Sequence, residues 1–195
     1  MNNKTDKYLS ITNNILVFIE MAICLLYAIN YYNLNNNFML LGSMGAGLLP
    51  LIIYIIDLLT KQKISVKVKT IYLLFIFISA DLGAVMGLYS STLYYDKFVH
   101  FASGLLTSWL FAQILGHYYS TREMDKSAFI FSIFCFNATI ALFWEIMEYT
   151  LDLILNQQIQ RGLTDTMTDM IAAVVGGIVI TIIYAFKLKK RELKK

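Results

Sequence analysis

The run FIFSIFCFNATIALFWEIMEYTLDLI, residues 129–154, is long and apolar enough to cross a bilayer. Yet it places Glu145, Glu148 and Asp152 on one face of the helix it would form. A carboxylate in hydrocarbon is costly, so acids inside membrane segments face protein or water and are functional by default. What compensates these three therefore bears on what the protein does.

The rest of the sequence puts that run in a membrane. The chain has 195 residues, 58% of them hydrophobic and only 15% charged, against about a quarter charged in a soluble domain. Its mean hydropathy is +0.62. Six apolar runs of spanning length occur, at 11–32, 38–59, 70–90, 98–119, 127–152 and 167–186. Short connections leave no room for a soluble domain, so residues 1–195 are expected to form one all-α, polytopic transmembrane helical bundle. The first run is long for the apolar core of a signal peptide, contains Glu20, and lacks a convincing small-x-small cleavage site, so it is expected to be the first helix. Pro50, the single proline, falls inside the second run and is expected to kink it without ending it. Cys24 and Cys135 lie in apolar runs, as packing residues do.

Basic residues fix the expected orientation, because short cytoplasmic loops are enriched in Lys and Arg. With the N-terminus inside, the cytoplasmic segments hold Lys4 and Lys7, the lysines of the 61–69 loop, Arg122 and Lys126, and the basic tail from Lys187. Of sixteen basic residues only Lys97 and Arg161 fall outside. Both termini are thus expected in the cytoplasm. The net charge of +3 reflects topological anchoring at an anionic inner leaflet, and nothing points to nucleic acid or nucleotide as a partner.

With that orientation, the fourth helix begins at the outer face with Asp96 and His100 one turn apart. The fifth carries Glu145, Glu148 and Asp152 in its outer third, and the sixth begins with Asp165 and Asp169 one turn apart. At about 1.5 Å rise per residue these acids share a layer about 10 Å thick. Asp96, Glu145, Glu148, Asp165 and Asp169 exceed Lys97 and Arg161 by three charges, which protons, a bound cation or a cationic ligand must balance. Helix-borne carboxylates with an imidazole suit Zn, Mn, Fe or Mg, making Asp96, His100, Glu145, Glu148, Asp165 and Asp169 a candidate ligand set for a divalent metal. Asp152, Lys97 and Arg161 also have a plain reading as interfacial residues in water, and His117 as interfacial. Asp57, Glu123 and Asp125 have one as solvated ion-pair partners. Glu20 and Asp81 lie nearer mid-membrane, either as protonated packing residues or as support for the cluster. Ala172, Ala173, Gly176 and Gly177 suit close helix packing.

The stretches YDKFVHF, WEIMEYTLD and GLTDTMTDMIAAVVGG resemble the YjdF-type bacterial inner-membrane family and, more distantly, the VanZ-like family. The resemblance runs from about Tyr94 to Gly177, with the first three helices generic. Asp96, Lys97, His100 and Phe101 match the VanZ-like opening, and Glu145, Arg161 and Asp169 match later positions. Glu148 stands where that pattern has Gln, and Ala173 where it has Asn. The paired Asp165 and Asp169 fit the YjdF-type pattern better. The resemblance implies a bacterial cytoplasmic-membrane protein with a site on these helices, and it brings no reaction with it.

Three functions follow from the residues. The first is a metal- or acid–base-dependent hydrolase or transferase at the outer leaflet. It would act on a lipid or lipid-linked cell-envelope substrate, with Glu145, Glu148 and His100 catalytic and Arg161 and Lys97 holding a phosphate. The second is a non-catalytic envelope or resistance protein binding a lipid headgroup, an antibiotic or a cation. The third is a cation- or proton-coupled transporter, disfavoured by the few ionisable groups in the inner halves of the last three helices. No Gly-x-Ser-x-Gly, His-Glu-x-x-His, nucleotide-loop, haem or thiol motif is present.

Overall fold

Hydrocarbon offers no partners for backbone N–H and C=O groups, so a spanning chain must satisfy them within its own helices. The structure, a computed structural model, describes residues 3–60, 64–92, 94–118 and 124–192. Every regular element among them is helical: α1 (Asn3–Asn33), α2 (Asn37–Ala46), α3 (Leu49–Thr60), α4 (Val66–Ile76), a π segment (Phe77–Val85), α5 (Leu88–Ser91), α6 (Tyr95–Tyr118), α7 (Lys126–Leu155) and α8 (Leu163–Glu192). Six spans among the described residues are long and apolar enough to cross a membrane. Lys61, Lys63, Arg122, Glu123, Lys194 and Lys195 lie outside the described residues, as does the His117 side chain.

The helices extend past the apolar runs that announce them. Thus α1 starts at Asn3 and α8 runs from Leu163 to Glu192, because capping and turn residues end a helix, and loss of hydropathy does not. Asp125 caps α7 by accepting from Ser127 N (2.8 Å) and Ala128 N (3.1 Å), and Asn156 closes it in the left-handed region at φ 51°. Asp57, expected to be solvated, pairs with Lys69 and accepts from Ile64 N, tying α3 to α4.

Two spans differ from expectation. Pro50 interrupts the second span, where a kink was anticipated. Lacking an N–H, and with its ring against the carbonyl four residues back, it forces α2 to end at Ala46, and a turn through Gly47 and Leu48 precedes α3. The third span is α-helical only to Ile76 and continues as a π segment. The Met86 N–H reaches back to Asp81 O at 2.8 Å, and Gly87, at φ 81°, ends the span before residue 90.

The chain forms two compact units, Met1–Tyr95 and Asp96–Lys195. In the first, Cys24, Ala46, Ile76, Ala80 and Val85 form a buried cluster edged by Tyr27, Leu49, Tyr72 and Phe75. In the second, Ala112, Phe129, Ile133 and Leu188 do so at the end far from the acids. Nearer the acids, α6 and α8 touch backbone to backbone. A Cβ built on Gly104 would sit 1.9 Å from Ala173 O, and one on Gly176 would sit 2.2 Å from Phe101 O. Small residues let membrane helices approach this closely, where apolar side chains gain little over lipid. Asn137 of α7 joins the pair, donating to Ala173 O (3.1 Å) and accepting from Thr107 Oγ1 (2.9 Å).

Candidate functional site

The close α6–α8 contact brings the first turns of both helices together. There α6 presents Asp96, Lys97 and His100, and α8 presents Asp165 and Asp169. The C-terminal third of α7 adds Glu145 and Glu148 from the side. His100, Glu145 and Asp169 are buried, at 8%, 4% and 1% exposure. The two expected i,i+4 pairs therefore do converge at one end of one three-helix unit.

The imidazole of His100 is the hub. Its Nε2 faces Asp96 Oδ1 at 3.5 Å and Asp169 Oδ1 at 3.9 Å, while Nδ1 faces Glu145 Oε1 at 4.0 Å. Asp96, His100 and Asp169 each offer a ligand atom within 4.8 Å of the others, the one such group of three among the described residues. Glu145 stands on the opposite edge of the ring, and neither of its buried oxygens has a hydrogen-bond partner. A buried carboxylate with both oxygens unsatisfied is expensive. One aimed at an imidazole edge resembles the carboxylate that holds a metal-binding histidine from behind.

Lys97 supplies positive charge inside the cluster. Its Nζ donates to Asp169 Oδ2 at 2.9 Å, lies 2.8 Å from Asp169 Oδ1, and pairs with Asp165. Asp96 Oδ2 is 3.8 Å away. Three carboxylates thus surround the ammonium that was expected to hold a substrate phosphate, and as folded it is their counter-charge. Arg161, in the loop before α8, interacts electrostatically with Asp96.

Of the six candidate ligands, three stand apart from the tight group. Glu145 lies behind the ring and Asp165 is tied to Lys97. Glu148 Oε1 accepts from Trp144 Nε1 at 2.8 Å, although its charge still acts on Asp96, His100 and Asp169. Asp152 is engaged elsewhere: it accepts from Ile159 N (2.6 Å) and Gln160 N (2.9 Å) and pins the loop leaving α7. Sequence reasoning did not name Trp144 as a partner, though its i,i+4 spacing to Glu148 was a usable signal. Nor did it name Thr107 and Asn137, whose bond between helices has no sequence period. Glu20 and Asp81, left open as supports, belong to the first unit, and the cluster to the second.

Comparison with known proteins extends the picture. A family model described as "Predicted membrane protein (DUF2238)" matches residues 13–190. The match covers five spans and most of the first, so the first three helices are family sequence and not generic membrane sequence. An uncharacterized protein of Thermotoga maritima is 29% identical over 130 residues, 63% of this chain and 64% of the relative. The chain therefore spans just under two thirds of that relative's length. No solved structure matches it. The VanZ-like resemblance rests on the motifs alone.

Proposed function

The chain belongs to this DUF2238 family of membrane proteins, and from that premise we propose that it is a membrane-embedded metal-dependent hydrolase or transferase. Asp96, His100 and Asp169 hold a divalent metal, of the Zn, Mn, Fe or Mg class, near one face of the bilayer. The observation that supports this best is the three convergent ligand atoms on α6 and α8 with buried, unpartnered Glu145 behind the imidazole. Acid and imidazole donors suit those metals, and Glu145, 4.0 Å from Nδ1, stands where a carboxylate closing to hydrogen-bond distance would fix which ring nitrogen faces the site.

In this reading the metal supplies a water made acidic enough to ionise at neutral pH. Glu148, at the rim and steadied by Trp144, accepts that water's proton. In hydrolysis of an ester the water's oxygen would go to the carbonyl carbon or phosphorus, and Glu148 would pass the water's proton to the leaving alcohol as its bond breaks. Arg161 offers a planar donor set for a phosphate. The substrate class is a lipid or lipid-linked cell-envelope precursor in the outer leaflet of a bacterial cytoplasmic membrane. The one-sided distribution of basic residues supports that side.

Elemental analysis of protein purified in detergent tests the metal. About one equivalent in the parent and none in Asp169→Asn is expected. A metal-free parent that stays metal-free after dialysis against Zn²⁺, Mn²⁺, Fe²⁺ and Mg²⁺ would end this reading.

A further inference from the structure

The first unit contains polar groups that the α6–α8 cluster does not use. Glu20, in the middle of α1, is 0% exposed, and neither of its oxygens has a hydrogen-bond partner. Asp81, in the π segment, is also 0% exposed. It accepts from Cys24 Sγ at 2.9 Å through Oδ1, while Oδ2 is unpartnered. The two acids act on each other electrostatically, and Glu20 also acts on Tyr54 of α3 and Tyr72 of α4. Tyr72 spends its hydroxyl on Leu49 O at 2.7 Å, but the buried Tyr54 hydroxyl has no partner. The remaining neighbour of α1, α2, carries no titratable side chain.

Among the described residues, the titratable groups that interact with Glu20 are an acid, a thiol and two phenols, and none of them brings positive charge. Two ionised carboxylates cannot share such a place in hydrocarbon. A metal ion is not the fitting guest. Glu20, Cys24 and Asp81 do not form one of the tight three-ligand groups among the described residues, as Asp96, His100 and Asp169 do. A proton needs only one carboxylate. The thiol donor stabilises negative charge on Asp81, and nothing does so for Glu20, so the proton belongs on Glu20.

The Lys69 ammonium lies 4.7 Å over the Tyr54 ring and is paired with Asp57, where α3 meets α4 at a membrane edge. Tyr54 thus touches that pair through its ring and also feels the charge of Glu20. From this arrangement we infer that the first unit is a proton-binding site: Glu20 holds an exchangeable proton deep in the membrane, Asp81 holds the charge beside it, and exchange runs past Tyr54 from the α3–α4 end. π segments recur at functional sites, and this one carries Asp81 against Cys24, one helical turn along α1 from Glu20. This site stands or falls independently of the metal proposal.

Dicyclohexylcarbodiimide tests it in the full-length protein in detergent. The reagent needs a protonated carboxyl: the acid proton goes to a reagent nitrogen and the carboxylate oxygen bonds to its central carbon. Peptide mass mapping is expected to find the adduct on Glu20 at neutral pH and to find it fading at alkaline pH. The labelling should be indifferent to added Na⁺, Mg²⁺ or Zn²⁺ and several-fold slower in Tyr54→Phe. Glu20→Gln, which keeps the shape of the protonated acid, should melt at or above the parent temperature with unchanged metal content. An unlabelled Glu20 in a folded parent, labelling on Asp81 instead, suppression by Na⁺, or a Glu20→Gln variant that melts well below the parent would each overturn the inference.

Discussion

At His100 the direction of each ring nitrogen divides labour among the acids. Nε2 faces Asp96 and Asp169, so these are the groups a metal would share with the imidazole, while Nδ1 faces Glu145. Glu145→Gln is therefore expected to weaken metal binding about 10- to 100-fold without abolishing it, as loss of an orienting carboxylate does. Isothermal titration on metal-depleted protein measures this; an unchanged affinity would remove Glu145 from the role. Lys97 makes a prediction of opposite sign. Its ammonium sits against Asp169 and competes with a cation for the same oxygens. Lys97→Gln should cost about 1–3 kcal/mol of metal-free stability, less than the loss of a fully buried pair because Lys97 is partly exposed. Added metal should then raise its melting temperature more than the parent's, since stabilisation grows with affinity. A smaller rise in the variant would mean that Lys97 helps the metal instead of excluding it.

At the scale of helices, the site depends on how closely α6 and α8 approach. Gly104 and Gly176 allow a contact that any Cβ would block. Gly104→Ala should force the two axes apart, cost about 2–3 kcal/mol as overpacking does, and lower metal affinity by separating Asp96 from Asp169. A thermal melt and a metal titration check both; a variant that melts like the parent would place the contact elsewhere. Much of this was legible. The pairs Asp96–His100 and Asp165–Asp169 announce themselves by spacing, and helix rise puts them level with Glu145. The position of the Lys97 ammonium was not legible, because a flexible side chain chooses among acids only after packing. Nor was the break at Gly47, where Pro50 reads the same for a kink as for an interruption.

For the molecule as a whole, six spans agree with hydropathy because each is simply long and apolar. Orientation is a separate property, carried by the basic residues. Both termini are expected in the cytoplasm. A cysteine placed in the KLKKRELKK tail should resist an impermeant maleimide in intact cells and react after lysis, with Cys24 and Cys135 replaced beforehand. Labelling in intact cells would invert the protein and move the acid–His cluster to the cytoplasmic face.

The π segment has a consequence for how the sequence can change over time. Its N–H groups reach back five residues, as from Met86 to Asp81, so the span behaves as an α-helix that has gained one residue. Removing one residue between Phe77 and Ala80 would let the strand of hydrogen bonds close in ordinary α register and turn Asp81 by about 100°, away from Glu20. Relatives that lack one residue here are therefore expected to lack an acid at the position of Glu20 as well, the two losses travelling together.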